Sequence, residues 1–194
     1  MRSDHPSGRG YTAFMEANPP SPVQGSPVRS SRVQGSPPPI DGAGIAGGPA
    51  ATIRAAAAAD LPGVRALLED AALPLDGADL AFEHGVVAVA GDTVAGGAAV
   101  ELYGTDGLLR SVVVSPALRG TGIGQALVAA AEVMAAGLGI RRLYLLTETA
   151  ADWFPRLGYV ALERAAAPAG IAGSWEFRFA CVERGILMRR SLPG

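Results

Sequence analysis

A chain of 194 residues that is 49% hydrophobic has room for one ordinary domain with a real core. Its formal net charge is -2, and with no lysine every basic side chain is an arginine, so there is no basic field to hold nucleic acid or an anionic membrane. A single cysteine, Cys181, excludes an internal disulfide, and with only His5 and His84 to help it, a metal centre is not expected.

Residues 1–50 hold 9 of the 15 prolines and 8 of the 26 glycines, mixed with serine and arginine, and are expected to be a disordered tail. Within this tail Val23-Gln24-Gly25-Ser26-Pro27 recurs as Val33-Gln34-Gly35-Ser36-Pro37, too short and polar for a solenoid unit. The globular domain is expected over 51–194. Thr52-Ile53-Arg54 reads as a first strand, and Asp60 with Pro62 opens a helix carrying Val64, Leu67, Leu68 and Ala71 on one face. A short helix over Asp79 to Glu83 precedes two β-rich runs, Val86 to Ala90 and Val94 to Tyr103, joined by Gly91-Asp92 as a hairpin. Leu108 to Val114 continues as a third antiparallel run, ending at Ser115-Pro116.

Beyond a glycine-rich turn, Ile123 to Ala136 reads as a helix with Leu127, Val128, Ala131 and Met134 on its sheet-facing side. Arg142 to Leu146 is a buried-strand run, Ala150 to Leu157 a short helix stopped by Gly158, and Tyr159 to Glu163 a strand. Gly185 to Leu192 is expected to add an edge strand. One parallel β-loop-α-β unit inside a mostly antiparallel sheet makes the fold mixed α/β and not doubly wound. No run approaches the roughly 20 apolar residues of a membrane span. Met1 to Arg9 is polar with no apolar core behind it, so a cytoplasmic protein is expected. The oligomeric state stays open, a homodimer included.

The turn Arg119-Gly120-Thr121-Gly122-Ile123-Gly124 joins a strand to a helix. Such a turn binds an anion when its amides converge and no side chain blocks the approach, and alternate glycines meet both needs. The amides and dipole at the helix start would hold a diphosphate, with Arg119 pairing to a phosphate oxygen. A Walker loop needs a lysine, which this chain lacks. A dinucleotide fingerprint needs a different glycine spacing and an acidic residue about twenty positions on, where Arg141, Arg142 and Leu143 stand here. By itself a glycine-rich turn is also an ordinary tight connection.

The run Leu109-Arg110-Ser111-Val112-Val113-Val114-Ser115-Pro116-Ala117-Leu118 leading into that turn, with Gln125-Ala126-Leu127-Val128 after it, resembles motif A of the GCN5-related N-acetyltransferases (GNAT). The later Trp153-Phe154-Pro155-Arg156-Leu157-Gly158-Tyr159 is similar to that family's aromatic helix ending in leucine-glycine-aromatic, so the resemblance covers about residues 51–192. Glu101-Leu102-Tyr103-Gly104, Leu108 to Ser111, Leu145 to Ala150 and the stretch from Ile171 to Cys181 are similar to the arsenic-resistance subgroup. That subgroup usually has proline where this chain has Val182.

The resemblance implies acetyl-CoA as cosubstrate, no metal, and direct attack of a neutral amine on the thioester without an acyl-enzyme. It further implies strand amides at Val112, Val113 and Val114 for the pantetheine arm and Arg119, Gly120, Thr121, Gly122, Ile123 and Gly124 for the pyrophosphate. The acceptor would be a small, amino-acid-like amine, an organoarsenical among the candidates, and arsenic detoxification the accompanying role. Where many relatives carry a tyrosine that protonates the departing thiolate, this chain has Phe154, with Thr147 or Tyr159 as substitutes through water. Glu101, on the strand before the glycine loop's own, is the first choice of general base. Arg110 and Ser111 are candidates to hold a substrate anion, and Trp175 to wall the substrate pocket. A CoA-binding regulatory or vestigial module without efficient turnover is the competing reading, and acetylation of a peptide is a third.

Overall fold

The computed structural model describes residues 51–180 and 185–193. The expectations for the tail, its repeat and Cys181 lie outside the described residues. Strands β1 (Ala51–Ala55), β2 (Gly85–Ala90), β3 (Thr93–Tyr103) and β4 (Asp106–Val114) are antiparallel neighbours in chain order. Helices α1 (Leu61–Asp70) and α2 (Ala78–Ala81) lie between β1 and β2 in sequence, and α3 (Ile123–Gly137) carries the chain from β4 to β5 (Arg142–Thr147). β5 runs parallel to β4, and the sheet closes as β1-β2-β3-β4-β5-β7-β6, with β6 at Val160–Leu162 and β7 at Ile186–Ser191. This is the expected mixed α/β class.

Two of the expected elements differ. The run 185–192 is not an edge strand: β7 pairs with β5 on one side and β6 on the other. Leu187 and Met188 are both buried, one toward each face, so this strand requires cover on both sides. The helix expected over 150–157 is a hydrogen-bonded turn over 151–153 followed by one 3₁₀ turn, Phe154–Leu157. Pro155 in its first turn and the left-handed Gly158 at its end leave room for no more.

Side chains alternate across the sheet with the two-residue period of a strand. Val86, Ala88, Ala98, Val100, Leu109, Leu143 and Leu145 gather with Leu127, Val128 and Ala131 of α3 on one face. Val87, Ala99 and Val113 gather with Val64 and Leu68 of α1 and Phe82 beyond α2 on the other. Further along, Leu108, Tyr144, Leu146 and Leu187 surround Ile171 of α4 (Ala169–Ala172). A Cβ on Gly96 would stand 2.8 Å from the Val113 carbonyl oxygen and 2.9 Å from Leu127 Cδ1, so α3 seats on β3 only because that position has no side chain. Leu127 is fully buried there, and Leu127→Ala is expected to cost about 2–5 kcal/mol in denaturant unfolding.

Asp60 does not cap α1 with its side chain. It instead accepts from both terminal nitrogens of Arg54 in β1, at 2.6 and 2.8 Å, and from the Ala57 amide at 2.8 Å. The Arg54 guanidinium holds the Asp60 carboxyl below the ordinary carboxylate range.

Candidate active site

The site starts from an irregularity in β4. Gly97 faces Val113 and Ala99 faces Arg110, so a single β3 residue opposes two on β4, Ser111 and Val112. Ser111 sits at φ 54, one of two non-glycine residues with positive φ among those described. A bulge of this kind bends its strand and re-aims the residues beyond it. The pairing of β4 with β5 accordingly spans only Asp106 to Leu108 against Arg142 to Tyr144, after which the two strands part. The edge of β4 that faces β5 therefore has no ladder partner beyond Leu108.

Into this opening points the N-terminus of α3. Gly122 is its N-cap in left-handed conformation, φ 90 and ψ −7, and no side chain caps the first-turn amides. The Thr121 hydroxyl donates to the Leu118 carbonyl at 2.7 Å and Arg119 Nε to the Val114 carbonyl at 3.2 Å, which fix the turn from both ends. A Cβ on Gly120 would meet nothing within 4 Å, so the approach to the turn is open.

The parted strands and the turn enclose a cleft of about 560 Å³. Among the predicted residues, Arg110, Ser111, Val112, Val114, Arg119, Gly120, Gly122, Gly124 and Thr147 line it. Val113 and Ile123 do not: their side chains are core, Val113 toward α1 and Ile123 under α3, and Thr121 is occupied within the turn. Thr147 Oγ1 accepts the Ala150 amide at 3.0 Å, which leaves its hydroxyl hydrogen free to donate into the cleft. Phe154 forms wall there, edge-on to both Trp153 and Tyr159. Tyr159 itself is buried in the core beside Glu132 and is absent from the cleft lining, so it is not placed to donate to a ligand there. Trp175, expected as a pocket wall, is partly exposed and packs on Phe179 instead.

At one end of the cleft lies a buried charge cluster drawn from separate elements. The Arg110 side chain is 1% exposed. Its Nη1 donates to Glu101 Oε1, its Nη2 to the Asp76 carbonyl at 2.7 Å, and its Nε stands 3.3 Å from Glu176 Oε2. The Tyr103 hydroxyl donates to the other Glu101 oxygen at 2.6 Å. Glu101 is thus engaged through both oxygens and is absent from the cleft lining, whereas Glu176 lines it. Burial pushes the Glu176 carboxyl up to about 7, with Arg110 opposing the rise and Glu101 adding to it. Arg110 thus stands between two carboxylates, whose charge opposes the approach of a substrate anion.

Glu176 is the residue that sequence reasoning did not single out. It opens a π-helical turn, Glu176–Ala180, in which the Phe177 amide donates to Ser174 Oγ at 3.2 Å. Such turns are rare and concentrate at functional sites. The local string marks no turn of that kind, and the resemblance over Ile171 to Cys181 attached no role to its acid.

Residues 81–161 match a family model described as "Acetyltransferase (GNAT) domain". No curated protein matches the sequence. Among solved structures, N-acetylglutamate synthase from Neisseria gonorrhoeae, complexed with coenzyme A and N-acetyl-glutamate, is similar at 21% identity and a TM-score of 0.65, over 76% of this chain and 36% of that one. This chain therefore spans little more than a third of that enzyme. Rv2747 from Mycobacterium tuberculosis, in complex with CoA and NLQ, is similar at 25% identity and a TM-score of 0.63, over 73% of this chain and 99% of that one. An acetyltransferase of the GNAT family from Staphylococcus aureus shares the fold at 14% identity and a TM-score of 0.61, over 74% and 100% of the two chains. No helix among the described residues is long and apolar enough to cross a membrane.

Proposed function

We propose that this chain, whose residues 81–161 match the acetyltransferase (GNAT) domain, moves an acetyl group from acetyl-CoA to the amine of a small acceptor. The observation that carries the reading is that one cleft is lined both by the open glycine turn at the α3 N-terminus and by the edges of two strands that part beside it. The turn offers converging amides, the positive end of a 15-residue helix and the Arg119 guanidinium, which together suit a pyrophosphate. The unpaired edge of β4 suits an extended pantetheine arm, which would hydrogen-bond there as an added strand does. A strand amide beside the bulge would polarise the thioester oxygen.

Acetyl transfer then needs three things of the cleft. The amine must be held against the thioester, which is chiefly a matter of position. The amine must be unprotonated, and the departing sulfur must be met by a donor. The free hydroxyl hydrogen of Thr147 meets the last need, where Phe154 brings no hydroxyl. Thr147→Val is expected to lower kcat by roughly 10- to 100-fold at unchanged acetyl-CoA affinity, the worth of one hydrogen bond to a developing charge.

The acceptor is a small, amino-acid-like amine. Because Arg110 is already paired, amino amides are expected to be acetylated at least as well as the free amino acids. The test is free-thiol release from acetyl-CoA over amino acids, their amides and amine-bearing organoarsenicals. Turnover with any of these supports the reading, and the arsenical arm decides whether arsenic chemistry belongs to it. Tight acetyl-CoA binding with no thiol release across the whole panel would establish the alternative, a CoA-binding module without turnover, which the hydroxyl-free Phe154 favours.

A further inference from the structure

We propose that Glu176 is the general base of the acetyl transfer, and that Glu101, the base the sequence suggests, acts as a positioning residue that anchors Arg110 behind it. This deepens the acetyltransferase reading and rests on it. Glu176 lines the cleft, and its Oε2 faces Arg110 Nε at 3.3 Å without the alignment of a hydrogen bond. Oε2 is closed off against Arg110, whereas Oε1 is not enclosed in that way and has no hydrogen-bond donor among the described residues, so Oε1 is the oxygen left for an incoming N–H. Both Glu101 oxygens, by contrast, already accept a bond, one from Arg110 and one from the Tyr103 hydroxyl. It also lies outside the lining.

The acceptor arrives as an ammonium, and one N–H proton passes to the Glu176 carboxylate, leaving the nitrogen lone pair free. That pair forms the new C–N bond at the thioester carbonyl, and the C–S bond breaks as the tetrahedral adduct collapses. The second nitrogen proton goes to the departing sulfur, and the Glu176 acid returns its proton to solvent. The products are the amide, the free thiol and one proton.

The groups that face Glu176 set when it can act. From β4 comes Arg110 and from β3 come Glu101 and Tyr103, while Arg164, in the turn before α4, is engaged with the carbonyl and ring of the next residue, Phe177. Burial, the first of these influences, and the Glu101 charge hold the Glu176 acid up to about 7 against the pull of Arg110. A base with that value is half-ionised near neutral pH and still basic enough to take a proton. Activity should therefore rise with pH through about 7 and level above it.

The experiment compares wild type, Glu176→Gln and Glu101→Gln as full-length protein, on the best amine and on its aminooxy analogue, which is already neutral at the assay pH. Acetyl-CoA binding serves as the check on folding. Glu176→Gln is expected to lose about 100-fold or more in kcat/KM for the amine, to lose the pH limb near 7, and to keep most of its rate on the aminooxy compound. Glu101→Gln is expected to keep the limb but move it to lower pH, because one of the charges raising Glu176 is gone. If Glu176→Gln does not bind acetyl-CoA, Glu176→Asp replaces it and is expected to be slowed with the limb retained. Amine turnover by Glu176→Gln within threefold of wild type, with the limb intact, would overturn the proposal, as would loss of the limb in Glu101→Gln alone. A wild-type protein that turns over no amine at all would instead remove the acetyltransferase reading beneath it.

Discussion

Replacing Gly122 with valine is expected to lower acetyl-CoA affinity by at least about 100-fold in calorimetry, while the domain still unfolds cooperatively. Gly122 holds φ 90 and ψ −7 at the start of α3. An L-residue in the left-handed region costs roughly 1–2 kcal/mol, and a β-branched one more. The chain relieves that strain by rotating the peptide out of the region, and the next amides, at Ile123 and Gly124, turn away from the point on which they now converge. The anion site is lost for a stability loss of about 1–3 kcal/mol. Gly124→Ala is the matched control. Its Cβ would make only ordinary contact, 3.5 Å from Trp153 Cζ2, so the free protein accommodates it and any loss of affinity reports on ligand approach. Unchanged acetyl-CoA affinity in Gly122→Val would show that the pyrophosphate does not sit at this turn.

Arg110→Met is expected to destabilise the protein by about 3–5 kcal/mol at pH 8, with a much smaller deficit at pH 5, measured by denaturant unfolding across that range. Arg110 is the cation between Glu101 and Glu176, and its removal leaves two carboxylates near one another with little solvent. Proton binding sets the sign of the pH dependence. Glu176 is raised to about 7 from an ordinary 4.5, so between those values the folded protein holds more protons than the unfolded chain, and stability falls as pH rises through that window. Arg110 lowers the Glu176 value, so without it the folded value climbs further and the window extends to higher pH. The deficit of the variant therefore grows with pH. Adding Glu176→Gln should recover much of it, because the neutral amide removes one of the two stranded charges.

What could be read from the sequence was local backbone chemistry. Alternate glycines between a β-branched strand and an alanine-rich helix describe a turn whose amides are bare, and the structure has that turn at Gly120 to Gly124. The β-rich runs Val86 to Ala90 and Leu108 to Val114 likewise marked strands, and both lie within strands of the sheet. The order of strands beyond β5 was not legible, because nothing local to 185–192 says which edge it joins. The charge cluster was hidden for a similar reason. Glu101 and Arg110 stand on neighbouring strands and suggested a separate base and anion site, whereas they pair directly with one another, and Glu176 arrives from a turn far along the chain. The Phe154 segment read as a helix because its apolar spacing fits one, and Pro155 with Gly158 cut it to a single turn.

The place of β7 bears on how the molecule is made. As the chain emerges from the ribosome in order, β1 to β5 can assemble, but the outer edge of β5 then waits for residues 186–191. β6 waits as well, although it has already been synthesised, because its ladder partner is β7. During that interval Leu143 and Leu145 lie on a strand with one bare side, and Phe154 and Tyr159 lack the cover of Met188. β7 thus sets when the half of the sheet beside the cleft becomes protected, and the amides of β5, β6 and β7 should gain hydrogen-exchange protection together and later than those of β2 and β3.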